Sequence, residues 1–600
     1  MTRKLPTTRK RQVKEASLSQ ILDPRRGDIE DDASSTKRRS MLSLAGSLLV
    51  EISLPKLILA WILLLVVPGL LLGLAPLVIT SWLGIVANKI ASAFIGIWSA
   101  IFFLGVIALG WFGWRSLFRM VEKSFWALNS IVVEPGYAAV REMLRHFTEK
   151  LFARNASDAT RARLRAACAA VAGIVVAGLA VLVLWLVWPA AHLIGDISEV
   201  RSWRDLVPVA LANSVVLITG YFAVAALVWG IADATMAQPR SLKAFHTGKT
   251  TGRKRRIVHL SDIHIVGERY GFRVESGRSG ARGNERLRRL FAMLEEIDAK
   301  APFDTILITG DMTDAGISAE WVEFFDILAS HPRLAGRVLI LPGNHDLNII
   351  DRANPARMDL PTSPDRRLRQ IRTLSAMNAV QGPRVRIVDL EAGRLGGSLE
   401  DLLKPHIAEL KRFADVARPQ FSSALSELWT KAFPMVVAPD NKEGLGIILL
   451  NSNADTHFSF TNALGMVSAG QVRGIEIARE TYPKACWIIA LHHHVIEYPW
   501  AAKALSERVG TALINGNWFI RTLKPLLGRA ILMHGHRHID WIGECAGLPI
   551  ISAPSPVMEV TNEKPTAFYI HTLAIGAGGQ LELLPPERIV VDGDPGDSAH

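Results

Sequence analysis

Ile257-Val258-His259-Leu260 runs directly into Ser261-Asp262-Ile263-His264, and how this stretch, IVHLSDIH, is read decides the fold. A short run of strand-forming residues ends at side chains that bind metals. The figure recurs twice downstream. Thr305–Thr309 leads into Asp311 within GDMTD (Gly310 to Asp314), and Val338–Leu341 leads into Asn344 and His345 within GNHD (Gly343 to Asp346). Helical patterns separate the three runs, Glu285–Lys300 in the first gap and Ala319–Ser330 in the second. Strand, helix, strand, helix, strand is the pattern of an α/β core. In such sheets functional groups collect at the carboxyl ends of the strands, where these residues fall.

Working outward, the pattern continues. Gly446–Leu450 precedes Asn451 and Asn453. Cys486–Leu491 precedes His492 in HHH (His492 to His494), and Ala530–Met533 precedes His536 and His538 in GHRH (Gly535 to His538). Asp, Asn and His suit hard or borderline divalent ions. GNHD alone reads as a turn and GHRH alone as a surface histidine pair. Five such clusters in order, each at a strand end, point to a two-metal hydrolase.

Composition divides the chain. At 600 residues it exceeds one ordinary core. The mean hydropathy is positive, +0.23, although 21% of residues are charged, which indicates apolar spans in one part and a globular domain in another. Three cysteines, Cys168, Cys486 and Cys545, are too few and too scattered for a disulfide framework or a cysteine zinc site. The net charge is +12. Many basic residues flank apolar stretches, so they read as orientation signals and contacts to anionic membrane lipids, and against nucleic acid as a partner.

Residues 1–45 read as a disordered basic tail. A membrane region, 46–239, is expected to hold four transmembrane helices at about 57–83, 91–111, 164–194 and 206–232, each long enough to cross a hydrocarbon core. The loop 112–163 is rich in Lys and Arg, as are the tail and the segment after the fourth span, whereas the other two loops are poor in them. This alternation places tail, loop 112–163 and catalytic half in the cytoplasm, with a bacterial inner membrane as the expected location. Within that loop GYAAVREMLRHFTEKLFARN is amphipathic at helical spacing, suited either to the membrane surface or to packing on the catalytic half. A basic linker, 240–256, is expected before a domain spanning 257–600.

On its five clusters, residues 256–560 resemble the calcineurin-like metallophosphoesterase superfamily. The resemblance implies a four-layer α/β/β/α sandwich, here with a helical insertion at about 350–440 and preceded by an all-α transmembrane region. It implies two divalent ions (Mn²⁺, Fe or Zn²⁺), one held by Asp262, His264, Asp311 and His538, the other by Asp311, Asn344, His492 and His536. His345 would contact the phosphoryl group and protonate the leaving oxygen, with Asp346 orienting it. The family has His-His-Pro where this chain has His492-His493-His494, so the choice of His492 over His493 rests on register. The reaction implied is hydrolysis of a phosphodiester, pyrophosphate or phosphomonoester by a metal-bridged hydroxide, with a lipid-linked or nucleotide phosphate ester as substrate. The alternative is a catalytically silent metal-binding scaffold on a membrane protein. The arginines Arg269, Arg273, Arg278 and Arg282 are candidates to meet an anionic substrate.

Overall fold

The computed structural model describes residues 66–93, 134–152, 157–195, 203–242, 244–247, 252–267, 272–273, 278–279, 282–347, 364–416, 423–454, 462–499, 513–558, 565–576 and 578–591, with 62, 101 and 104 as single positions. The tail 1–45, most of the expected span 91–111 and the side chains of Arg269, Arg273, Arg278 and Arg282 lie outside the described residues.

The N-terminal region is helical: α1 (Val67–Ala93), α2 (Glu134–Phe152), α3 (Asp158–Val187) and α4 (Trp203–Ala234). Among the described residues three stretches are long and apolar enough to cross a membrane, Val67–Ala87, Ala159–Ala190 and Leu206–Ala234. Their large apolar side chains point outward, as at Ile174, Leu186 and Ile231, while small residues line the contacts between helices. A Cβ on Gly173 would meet the Ala226 carbonyl oxygen at 2.8 Å and Gly230 Cα at 3.0 Å, so α3 and α4 approach backbone to backbone.

Helix α2 is inverted relative to a soluble amphipathic helix. Glu142, Arg145 and Glu149 are buried, whereas Met143, Phe147 and Leu151 are 43%, 55% and 71% exposed. The buried charges are paired: Arg145 with Glu142 at 2.6 Å, and Arg165 of α3 with Glu149 at 2.8 Å. The charged face therefore packs against the rest of the protein.

The C-terminal half is built on two sheets. In the six-stranded sheet β2 (Arg255–Leu260), β5 (Thr305–Ile308) and β6 (Val338–Ile340) run parallel. β15 (Thr566–Ile575) joins β2 antiparallel and carries β16 (Leu581–Leu583) and β17 (Glu587–Val591). Between the parallel strands lie α5 (Arg282–Lys300) and α6 (Ser318–Ser330), at the positions the sequence pattern marks. A separate pair is β3 (Phe272–Arg273) with β4 (Arg278–Ser279).

The nine-stranded sheet has at its centre β10 (Leu445–Leu449), β11 (Cys486–Ala490), β12 (Ala530–His534) and β14 (Leu548–Ser552), all parallel. Alternate residues serve two cores. Ile447, Leu449, Ile488, Ala490, Ile531 and Met533 join the core shared with the six-stranded sheet. Ile448, Trp487, Ile489 and Leu532 join a second core covered by the helix Ala469–Thr481. At one edge β13 (Trp541–Cys545) pairs with β14, and β1 (Arg240–Ser241) pairs with β13. Residues assigned by sequence to a linker are thus part of this sheet.

At the other edge stand β9 (Met435–Val437), β7 (Arg386–Asp389) and β8 (Arg394–Ser398), antiparallel. The insertion is therefore helical in part only: around α7 (Pro364–Gln381) it also extends the sheet. Gln381 splices it to β6, accepting from Ile340 N at 2.7 Å and donating to Ile340 O at 3.0 Å.

Candidate metal centre

The strand ends converge because the two sheets deliver their loops to one place. β2 and β5 finish level, Leu260 opposite Ile308, and the loops continue to bond beyond them: Asp262 N donates to Gly310 O and Ile263 N to Asp311 O. Past the last strand residue the backbone turns left-handed at Asp262 (φ 55°), His264 (47°), Asp311 (51°), His536 (78°) and His538 (51°). Each turn aims a side chain inward at a conformation L-residues rarely adopt. Gly343 and Gly535 are needed for close approach, since a Cβ on Gly343 would overlap the Asp311 carboxylate and one on Gly535 would overlap Ser261 and Asp262.

Among the described residues three overlapping groups result, each with ligand atoms within 4.8 Å of one another: Asp262, His264 and His538; Asp311, His492 and His536; and His264, Asp314 and His345. In the first, His264 Nε2 faces His538 Nε2 at 3.2 Å, with Asp262 Oδ1 3.5 Å from His538 Nε2 and Asp311 Oδ2 3.8 Å from His264 Nε2. His264 Nδ1 lies 3.3 Å from the Asp314 carboxylate, close enough for an ion pair but with no hydrogen bond formed.

The second cluster is drawn tighter. His492 Nδ1 donates to the Thr309 carbonyl at 2.8 Å, so the neutral ring presents a lone pair on Nε2. Around that lone pair stand Asn344 Oδ1 at 3.0 Å, His536 Nδ1 at 3.1 Å and Asp311 Oδ2 at 3.2 Å. Electron-rich atoms crowded on one point need a cation between them. His536 turns its Nδ1 toward this point, and its Nε2 is buried with no hydrogen-bond partner. The donor set, carboxylate, amide oxygen and imidazole, fits a divalent transition ion.

Electrostatics agree. Burial pushes the Asp311 carboxyl up, but His492, His345 and His264 outweigh it and hold the group well below the usual carboxylate range. Burial pushes His492 down, but Asp311 overrides it and raises the imidazole to about 9. A cation at this point would compete with a proton on His492. Burial and then His493 and His492 hold His536 well below its ordinary value, keeping it in the neutral form a metal requires.

All nine residues singled out by sequence come together here. One detail differs. His345 Nδ1 donates to the Asp314 carbonyl at 2.7 Å, and His345 N donates to Asp311 Oδ1 at 2.9 Å. Asp346 instead accepts from Thr313 N (3.0 Å), Thr313 Oγ1 (2.6 Å) and Gly343 N (2.9 Å). It pins two loops to each other, and the backbone of Asp314 supplies the bond expected from it. Burial and then the Asp311 charge push Asp346 up to about 6. His493 turns away to Ser452 Oγ at 2.9 Å. Sequence reading passed over Ser452, whose hydroxyl accepts from His492 N and His493 N at 3.1 Å and holds the HHH turn. Its position between Asn451 and Asn453 at a strand end was the available signal.

Residues 255–540 match the family model described as calcineurin-like phosphoesterase. No curated protein matches the chain. Among solved structures the chain is similar to the NAD nucleotidase of Haemophilus influenzae (11% identity, 57% of this chain and 57% of that one, TM-score 0.28). It is also similar to the calcineurin-like phosphoesterase YfkN of Bacillus subtilis (13%, 57% and 91%, 0.27) and to a purple acid phosphatase from yellow lupin, Lupinus luteus (12%, 54% and 49%, 0.25). The chain spans about half the length of the first structures it matches (55% and 49%). Superposition this loose transfers no activity.

Proposed function

Because residues 255–540 form a calcineurin-like phosphoesterase domain, we propose that the protein is a membrane-anchored phosphoesterase dependent on two metal ions. Asp262, His264, Asp311 and His538 would hold one ion, and Asp311, Asn344, His492 and His536 would hold the other. Mn²⁺, Fe and Zn²⁺ all suit these donors. When bound, such a pair supplies Lewis acidity and a water acidified enough to attack phosphorus at neutral pH. The observation that carries the reading is the crowd of electron-rich atoms around the His492 Nε2 lone pair.

The chain's own groups do the remaining work. His345 donates a hydrogen bond from Nδ1–H to the Asp314 carbonyl, which leaves Nε2 to exchange a proton with the leaving oxygen. Asp346 keeps the GDMTD and GNHD loops in register, so that His345 and Asn344 stay aligned with Asp311. The substrate is a phosphodiester, pyrophosphate or phosphomonoester, lipid-linked or nucleotide. The three apolar helices among the described residues support membrane anchoring, and the basic loop 112–163 and the basic segment after α4 favour a domain on the cytoplasmic side, in a bacterial inner membrane.

The full-length protein in detergent micelles, with Mn²⁺, is expected to hydrolyse bis-p-nitrophenyl phosphate or p-nitrophenyl phosphate. Asp311→Ala should lower turnover more than about 100-fold, beyond the range for groups that only orient ligands. His345→Ala should cost about 10²–10⁴-fold on an alkyl phosphate, and less on a p-nitrophenyl ester, whose leaving oxygen needs no proton. A folded protein carrying two metal ions that cleaves neither ester, or an unaffected Asp311→Ala, would overturn the reading.

A further inference from the structure

His492 heads a loop that runs on through Tyr498, and this loop is held from outside the catalytic domain. Arg165 sits on α3, a helix long and apolar enough to cross a membrane, and is buried. Its Nε donates to Glu149 of α2 at 2.8 Å, and its Nη1 donates to the Tyr498 carbonyl at 2.9 Å. A forked guanidinium can serve two acceptors at once, and Glu149 balances its charge.

Tyr498 is fixed on several sides. Its hydroxyl shares a 2.8 Å hydrogen bond with Ser552 Oγ, and its ring meets Trp541 edge-on at 5.5 Å. It then stacks on His494 (6.1 Å, 17°), and His494 stacks on His536 (5.9 Å, 13°). A carbonyl gripped by α3 thus begins a row of three rings that ends on a proposed metal ligand. Glu497 ties the two ligand loops together, lying 3.7 Å from His494 and 3.4 Å from Arg537, the residue between His536 and His538. A cavity of about 100 Å³, lined by Arg165, Asp233, His494 and Glu497, marks where the two regions meet.

We propose that Arg165 is a positioning residue for the metal centre, acting through the Tyr498 carbonyl and the Tyr498–His494–His536 stack. The helical region is then part of the site's support as well as an anchor. This rests on the metallophosphoesterase reading above.

The test is Mn²⁺ binding by the metal-free, full-length protein in detergent micelles, followed by the electron paramagnetic resonance signal of free Mn²⁺. The double variant Arg165→Met with Glu149→Gln removes the guanidinium without stranding a buried carboxylate. It should keep the metal-free melting temperature close to wild type, yet bind Mn²⁺ about tenfold or more weakly, as outer-shell changes do. Its kcat should fall while KM holds. If the double variant does not fold, Arg165→Lys carries the test: it keeps the charge beside Glu149, gives up the fork, and should also weaken Mn²⁺ binding. Wild-type Mn²⁺ affinity in the folded variants would overturn the proposal alone. A wild-type protein that binds no Mn²⁺ would overturn it together with the reading it rests on.

Discussion

Asp262, His264, Asp311, His536 and His538 all hold left-handed backbone, at roughly 1–2 kcal/mol each for an L-residue. Strain concentrated on proposed ligands indicates that the loops are shaped for the ions they receive. His492 offers a measurable consequence. Its folded pKa, about 9, lies above the unfolded value of about 6.5. Its contribution to stability is therefore fully present below about pH 6.5 and is lost as pH rises through 9. A bound cation competes with that proton. Melting temperatures of the metal-free protein should accordingly decline from pH 6.5 to 9, those of the Mn²⁺-loaded protein should decline less, and Mn²⁺ binding at pH 7.5 should release protons. Parallel declines would refute this. The convergence of the proposed ligands was legible in sequence because each follows a strand-like run directly. The groups that hold them were not, since Thr309 O, Asp314 O and Ser452 Oγ act through backbone or through a residue type too common to signal.

For helix α2, periodicity announced a helix but left open which face is inside, because an apolar stripe suits a core or a lipid surface equally. The structure decides by pairing: Glu142, Arg145 and Glu149 turn inward and Met143, Phe147 and Leu151 outward. An outward apolar row beside helices with apolar exteriors faces lipid. The three native cysteines are buried, so a cysteine placed at Phe147 can be labelled selectively. A nitroxide there, in vesicles, should be reached more readily by oxygen than by a nickel chelate, with the opposite order at the exposed Lys484 of the catalytic half. Nickel access equal at both positions would remove the assignment. The edge strands β7 and β8 escaped sequence reading for another reason. They are short, polar and half-exposed, so no period-two pattern marks them.

Across the whole molecule, the helices and the catalytic half are joined by more than one chain segment. Arg521 donates to Ala232 O at 2.7 Å and to Thr235 Oγ1 at 3.1 Å; Leu242 N donates to Ile542 O at 3.0 Å; and Trp541 Nε1 donates to Ser241 Oγ at 3.3 Å. Two residues of β1 are too few to show in a pattern, so basic composition alone made this stretch read as a linker. A soluble piece beginning at residue 253 should therefore melt several degrees below one beginning at residue 236, reflecting roughly 2–3 kcal/mol of lost ladder bonds and cover over Trp541. Equal melting would show the edge strand to be dispensable.

These joints also set how the site meets its surroundings. A flexible leash would let a catalytic head sweep a hemisphere above the bilayer and collect reactants from the bulk. With the membrane anchoring proposed above, a head bolted through Arg165, Arg521 and β1 would keep one height and one heading. Its encounters are then decided by whatever drifts laterally beneath it or enters from a single direction, so geometry filters reactants before any chemistry begins.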